Sequence, residues 1–250
     1  MAPARTLTLA SILALAATTL PLHATEGVVT TAMLQQAAVS VDEVTRLPAF
    51  VHRMFRPEKP SDRTIIMLHG SGGDETTLAS LASTIAPDAT LIGVRGRVVQ
   101  DGVKRWYKRI SPTQFDQEDV RKEAAAFVDF LKDMAAEQKL DLSKVTFLGY
   151  SNGANLIAAL TQLYPGIVRS AVLLRPMPVL GETPKVDLSD SRFLTIAGAD
   201  DKLYSPFAQA LESQLLNCGA SVEARMIHSG HAIGEEDAKI AAEWLGSASK

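Results

Sequence analysis

Apolar positions along the chain follow two different periods. Short runs over residues 64–68, 90–94, 145–149, 168–174 and 193–197 are apolar on both faces and have the length of buried parallel strands. Strands are also expected over 49–55 and 222–227, where the pattern is less continuous. Between these runs the spacing turns helical, which predicts helices over 76–85, 118–139, 152–164, 205–217 and 235–244. In the longest of them Val120, Ala124, Phe127, Val128 and Leu131 share one stripe, the mark of a helix packed on a core. Strands alternating with helices predict an α/β fold, a mostly parallel central sheet with helices on both faces. Residues 97–117 and 175–190 carry neither period and are expected to be long loops, which in this architecture often shape a binding site.

The first residues differ in kind. Arg5 gives a positive start, residues 7–20 are apolar or small without a charge, and Pro21 precedes Leu22-His23-Ala24, which resembles a cleavage region. Residues 1–24 are therefore expected to be a signal peptide cut after Ala24, with an uncleaved anchor as the alternative. The apolar stretch is short for a membrane span and no second one follows, so the mature form is expected to be periplasmic or secreted, without an integral membrane segment. Residues 25–48 are small and polar and read as a loose lead-in to a single domain over 49–250.

The chain's 250 residues are 46% hydrophobic, which suits one domain with an ordinary core. A net charge of -3 and the absence of a Lys/Arg block exclude the electrostatic footprint of a nucleic-acid partner. The basic run Lys104, Arg105, Lys108 and Arg109 is interrupted by Trp106 and Tyr107 and reads as a solvated loop. Cys218 is the one cysteine, so no intramolecular disulfide can form, and it reads as a small buried side chain near a helix end.

Against this frame one segment carries chemistry. Residues 145–149 form an apolar strand, Gly149-Tyr150-Ser151-Asn152-Gly153 follows, and a helical pattern begins at once. A nucleophilic hydroxyl must project from a tight strand-to-helix turn, and small residues two before and two after it let that turn close. Ser151 is thus the candidate nucleophile, with a serine helix cap as the alternative reading. A serine hydroxyl needs a base to take its proton, and in this motif's setting the acid and then the histidine follow in chain order. His228 and His231 lie beyond Ser151; His231, in Ser229-Gly230-His231-Ala232 between the last strand and last helix, is the candidate base, and His228 reads as a strand-end or core histidine. Asp201 is the candidate acid over its neighbour Asp200, which could cap the turn instead, while Asp187 and Asp190 read as solvated loop residues. The backbone N–H groups of Asn152 and of Ser71, in the Gly-rich loop His69-Gly70-Ser71-Gly72-Gly73, are the candidate oxyanion donors, and His69 is expected to brace that loop. No Lys-Ser/Thr pair follows the loop, which excludes a phosphate-binding P-loop.

Several blocks, in fixed order, resemble the phospholipase/carboxylesterase family of α/β-hydrolases. They are Leu68-His69-Gly70-Ser71-Gly72-Gly73-Asp74-Glu75, Arg95-Gly96, Gly102-Val103-Lys104-Arg105-Trp106-Tyr107, Gly149 to Asn155, Leu173-Leu174-Arg175-Pro176-Met177, Gly198-Ala199-Asp200-Asp201 and Gly230-His231. Within that family they are most similar to predicted esterases related to hydroquinone-resistance hydrolases, and more distantly to acyl-protein thioesterases and dienelactone hydrolases. The resemblance implies the α/β-hydrolase fold, a Ser151, Asp201 and His231 triad, and hydrolysis of a small-molecule ester through an acyl-enzyme, with no metal or organic cofactor. Dienelactone hydrolases use a cysteine where this chain has Ser151. Trp106, Tyr107 and Met177, from the two patternless segments, are candidates to line a substrate pocket, with ordinary packing as the alternative. A thioesterase or lysophospholipase would use the same residues, and a non-catalytic binding protein on a hydrolase scaffold is a third reading.

Overall fold

A computed structural model describes residues 44–47 and 49–247. The expected signal segment and most of the lead-in lie outside the described residues. The central sheet has seven strands in the order β12-β11-β10-β9-β3-β4-β2, with ranges β2 Val51–Phe55, β3 Thr64–Leu68, β4 Thr90–Arg95, β9 Thr146–Tyr150, β10 Ser170–Leu174, β11 Arg192–Gly198 and β12 Ser221–Ile227. All neighbours pair in parallel except β2, which runs antiparallel on the β4 edge. The sheet and its helices are the α/β-hydrolase fold expected from the sequence.

Period-two alternation divides the strand residues between two cores. Ile66, Leu68, Phe147, Leu173 and Phe193 face one side, where α2 Gln117–Gln138, α3 Asn152–Leu163 and α4 Ser205–Asn217 pack; Ile65, Met67, Leu148, Val172 and Leu194 face the other, against α1 Ala79–Ile85 and α5 Glu235–Ser247. The stripe Val120, Ala124, Phe127, Val128 and Leu131 is buried throughout, as its spacing predicts. Asp116 caps α2 by accepting from the Asp119 N–H, and Lys139 ends it in a left-handed conformation. Among the described residues no helix is long and apolar enough to cross a membrane.

Two expectations change. Val44–Arg46, within the stretch read as a loose lead-in, forms β1 and pairs antiparallel with β5 Val98–Gln100, and Leu47 N–H donates to the Arg97 carbonyl. Residues 97–117, read as a long loop, are instead built from short antiparallel pieces: β5 with β6 Val103–Arg105, and β7 Arg109–Ser111 with β8 Gln114–Phe115. Asp101 and Gly102 both have positive φ in the β5–β6 turn, so an Asp-Gly pair between two short β-prone runs was the available sequence signal. Residues 175–190 contain no helix or strand, as expected. Cys218 caps the end of α4 and is half-buried rather than buried.

The helix α3 starts hard against the end of β3. A Cβ on Gly153 would overlap the main-chain carbonyl oxygen of Leu68, and one on Gly149 would strike the backbone of Ala154, so both glycines of the motif are there for close approach. Alanine at 153 would gain up to about 1 kcal/mol of helix propensity. The clash involves backbone that cannot rotate away, and overpacking of this kind costs about 1–3 kcal/mol or more. Gly153→Ala is therefore expected to lower the urea midpoint, and an unchanged or raised midpoint would contradict this packing.

Candidate active site

Ser151 follows the last residue of β9 directly and precedes α3, with φ 49° and ψ -114°. A non-glycine residue in this region is strained by about 1–3 kcal/mol, and the surrounding packing holds it there. The Ser151 N–H donates to the Leu174 carbonyl at 2.8 Å, tying the turn to the end of β10. The positive end of α3 lies beneath the hydroxyl.

The structure brings the three sequence-selected side chains together. His231 Nε2 lies 3.0 Å from Ser151 Oγ, and His231 Nδ1 lies 2.6 Å from Asp201 Oδ2. An ionised carboxylate can only accept, so Nδ1 carries the proton toward Asp201 and Nε2 is left to accept from the serine hydroxyl. Asp201 is buried and also takes the Tyr204 N–H on Oδ1, whereas Asp200 is exposed. A Cβ on Gly198 would overlap the carbonyl oxygens of Gly230 and Ser229, so that glycine lets the loop bearing His231 settle onto the Asp201 turn. The His231 ring contacts the Tyr204 and Tyr150 rings, with centroids at 4.8 and 5.5 Å. His228, just past β12, is exposed, and Asp187 and Asp190 are solvated loop residues.

The sequence reading did not single out what fixes the histidine loop. Arg175, at positive φ just after β10, is buried and pairs with buried Asp237 of α5 through Nη1–Oδ1 at 2.7 Å and Nη2–Oδ2 at 3.0 Å. Nε reaches Gly230 O, Nη2 also reaches Ser229 Oγ and Ala232 O, all close to His231 in the chain, and Nη1 also reaches Ile196 O. Asp237 Oδ2 in turn accepts from Gly234 N–H at 2.9 Å, closing the entry to α5. Arg175 lies in one of the blocks that carry the family resemblance, but its role depends on Asp237 and the histidine loop, far away in the sequence.

The Gly-rich loop is held as firmly. His69 is buried, accepts the Gly96 N–H on Nε2 at 2.9 Å, and donates from Nδ1 to Gly70 O at 2.6 Å; its carbonyl accepts the Trp106 indole N–H at 2.8 Å. It braces the loop, as expected. Burial, opposed by the Gly70 bond, holds its pKa below the ordinary value, in keeping with a neutral ring. Glu75 is clamped by Arg95 in a two-pronged pair, which keeps its carboxyl below the usual range. The backbone N–H groups of Ser71 and Asn152 donate to no other described residue, and both residues line the cleft at Ser151.

Of the residues expected to line the pocket, Met177 does and two do not. Trp106 and Tyr107 are both 0% exposed: Trp106 packs on Phe50 and Phe127, and Tyr107 meets Phe115 edge-on. Two large rings gain more from leaving water than a cleft wall would give them. The asparagines of the serine motif anchor both loops instead, Asn152 Oδ1 accepting Trp106 N–H and Asn155 Oδ1 accepting Met177 N–H, each at 2.8 Å. Burial raises the pKa of the Tyr107 phenol, against the pull of nearby Asn155 and Asn152. The basic run is not a solvated loop either, since Arg105 is buried and Arg109 half-buried, and both line the cleft. Trp106 and Tyr107, which follow it, turn into the core, while Arg105 at the end of β6 stays at the cleft.

Comparison with known proteins agrees with this fold. A family model of the α/β hydrolase fold matches residues 64–190. The Bacillus subtilis (strain 168) protein MhqD, which bears a hydrolase name, is 35% identical over 190 residues, covering 74% of this chain and 92% of its own. Among solved structures, a carboxylesterase from Mesorhizobium loti is similar at TM-score 0.77 and 50% identity, covering 81% of this chain and 98% of that one. The Bacillus cereus carboxylesterase is similar at TM-score 0.76 and 28% identity, covering 88% and 100%.

Two outcomes follow from the buried supports. Breaking a buried ion pair by neutralising one partner costs about 3–5 kcal/mol, so Asp237→Asn should be destabilised by about that amount in urea melts. Arg225→Gln, which breaks the exposed pair with Glu223, should lose at most about 1 kcal/mol. For His69, whose folded pKa lies below the ordinary 6.5, the unfolded chain takes up a proton that the folded chain refuses. Stability should therefore fall as pH drops below 6.5, and His69→Gln should flatten the Tm-against-pH curve on that side.

Proposed function

This chain belongs to the α/β-hydrolase family as a carboxylesterase-like hydrolase, and from that premise we propose that it cleaves carboxylic esters by a two-step acyl transfer on Ser151. The observation that carries the reading is the continuous hydrogen-bonded line Ser151–His231–Asp201. His231 takes the hydroxyl proton as Oγ bonds to the ester carbonyl carbon, and Asp201 steadies the imidazolium that results. The tetrahedral oxyanion is met by the N–H groups of Ser71 and Asn152, with the α3 terminus adding to the field. As the intermediate collapses, the bond to the alcohol oxygen breaks and His231 returns the proton to it. Water then attacks the acyl-enzyme with His231 again as base, releasing the acid and restoring the serine. Every proton is moved by His231, so this route calls on no metal or cofactor.

The same reading extends to where the enzyme works. Residues 1–24 have the charge and apolar pattern of a signal peptide, which supports a periplasmic or secreted mature protein. A thioesterase or lysophospholipase would differ only in the leaving group. The mature protein should react with a fluorophosphonate probe, and Ser151→Ala should abolish labelling and lower kcat by about 10⁴-fold or more. A panel of p-nitrophenyl esters, acyl thioesters and lysophospholipids ranks the leaving groups, and a wild-type protein that takes no label and turns over no substrate would overturn the proposal.

A further inference from the structure

Two buried guanidinium groups border the cleft, and they differ in one respect. Arg175 is fully occupied by Asp237 and the histidine loop. Arg105 is only 5% exposed, yet among the described residues its guanidinium makes one hydrogen bond, from Nη1 to Ser71 Oγ at 2.9 Å, and its buried Nε has no partner. It forms no ion pair among the described residues. Asp101, a carboxylate whose charge favours the Arg105 cation, is exposed on the β5–β6 turn.

A buried cation with an idle donor is costly unless something supplies the missing acceptor. The neighbours make the cost greater, because Arg109 lines the same cleft and its charge adds to burial in disfavouring the Arg105 cation. The cleft wall consists of Ser, Asn, Pro, Phe, Met, Tyr and three arginines, with no Asp or Glu on it. A guanidinium is the side chain suited to binding a planar carboxylate or a phosphate through paired N–H groups.

Resting on the hydrolase reading above, we infer that the ester cleaved at Ser151 carries a negatively charged group, a carboxylate or phosphate, held beside the Ser71 loop by Arg105 with Arg109. The shared chemistry is an anion a short distance from the scissile carbonyl, on either the acyl or the alcohol half. Arg105 also holds the Ser71 hydroxyl, so the residue that recognises the anion touches the loop that offers the oxyanion donor.

The test uses the full mature protein and pairs of esters that differ in charge. Mono-p-nitrophenyl succinate against p-nitrophenyl butyrate places the charge on the acyl half; 4-acetoxybenzoate against its methyl ester places it on the alcohol half. In at least one pair the charged member should have the higher kcat/KM, by about tenfold or more for a charge-assisted bond in a sheltered cleft. That ratio should collapse toward one in Arg109→Gln, whose half-buried site tolerates the change, and in Arg105→Gln, mainly through KM, with partial recovery in Arg105→Lys. Binding is read separately by calorimetry of succinate and 4-hydroxybenzoate to Ser151→Ala, with and without Arg109→Gln. Neutral esters turned over as well as charged ones in both pairs, or a ratio untouched by Arg109→Gln, would overturn the anion site while leaving the hydrolase standing. Anion binding that needs Arg109, in a protein that hydrolyses no ester, would support the site and sink the hydrolase.

Discussion

A guanidinium withdrawn from water has to find acceptors for its planar fork, and Arg175 finds them in the carboxylate of Asp237 and in the residues on both sides of His231. The imidazole comes from a loop between the edge strand β12 and α5, anchored at its start by Ser229 and Gly230 and at its end by Asp237. What fixes that loop is the obligation of a buried charge to be satisfied. The 3.0 Å approach of Nε2 to Ser151 Oγ is therefore a consequence of electrostatics one residue removed from the chemistry.

The proposed nucleophile is placed by the opposite means, steric fit. Ser151 holds a strained conformation because β9 is paired on both sides and α3 is pressed against the end of β3, with glycines where any Cβ would collide. One partner of the Ser151–His231 contact is thus set by close packing and the other by a polar network. The 22-residue helix α2 and its core stripe serve the site only at a distance, by making the sheet rigid enough to hold both.

The Gly-rich loop proposed to meet the oxyanion joins these two schemes. His69 in its neutral form links Gly96 to Gly70, the Trp106 indole ties down its carbonyl, and Arg105 reaches Ser71 from the far side. The contrast between Arg175, whose donors are taken up by protein acceptors, and Arg105, whose guanidinium makes one hydrogen bond, to Ser71, separates a structural cation from the one we propose meets a ligand.

The chain order and local pattern of the sequence were enough for the parallel α/β fold, for the strand–serine–helix turn, and for the choice of Asp201 and His231, because each depends on spacing between near neighbours or on the order of elements along the sheet. Only the folded chain decided that Val44–Arg46 joins a small sheet, that the 97–117 segment is built of hairpins, that Trp106 and Tyr107 turn inward, and that Arg105 stays at the cleft. Those outcomes come from competition for burial among residues far apart in sequence. In the run from Lys104 to Arg109 two rings sit between two pairs of cations, and which of them leaves water depends on Phe50, Phe127 and the asparagines of α3, none of which a local window contains.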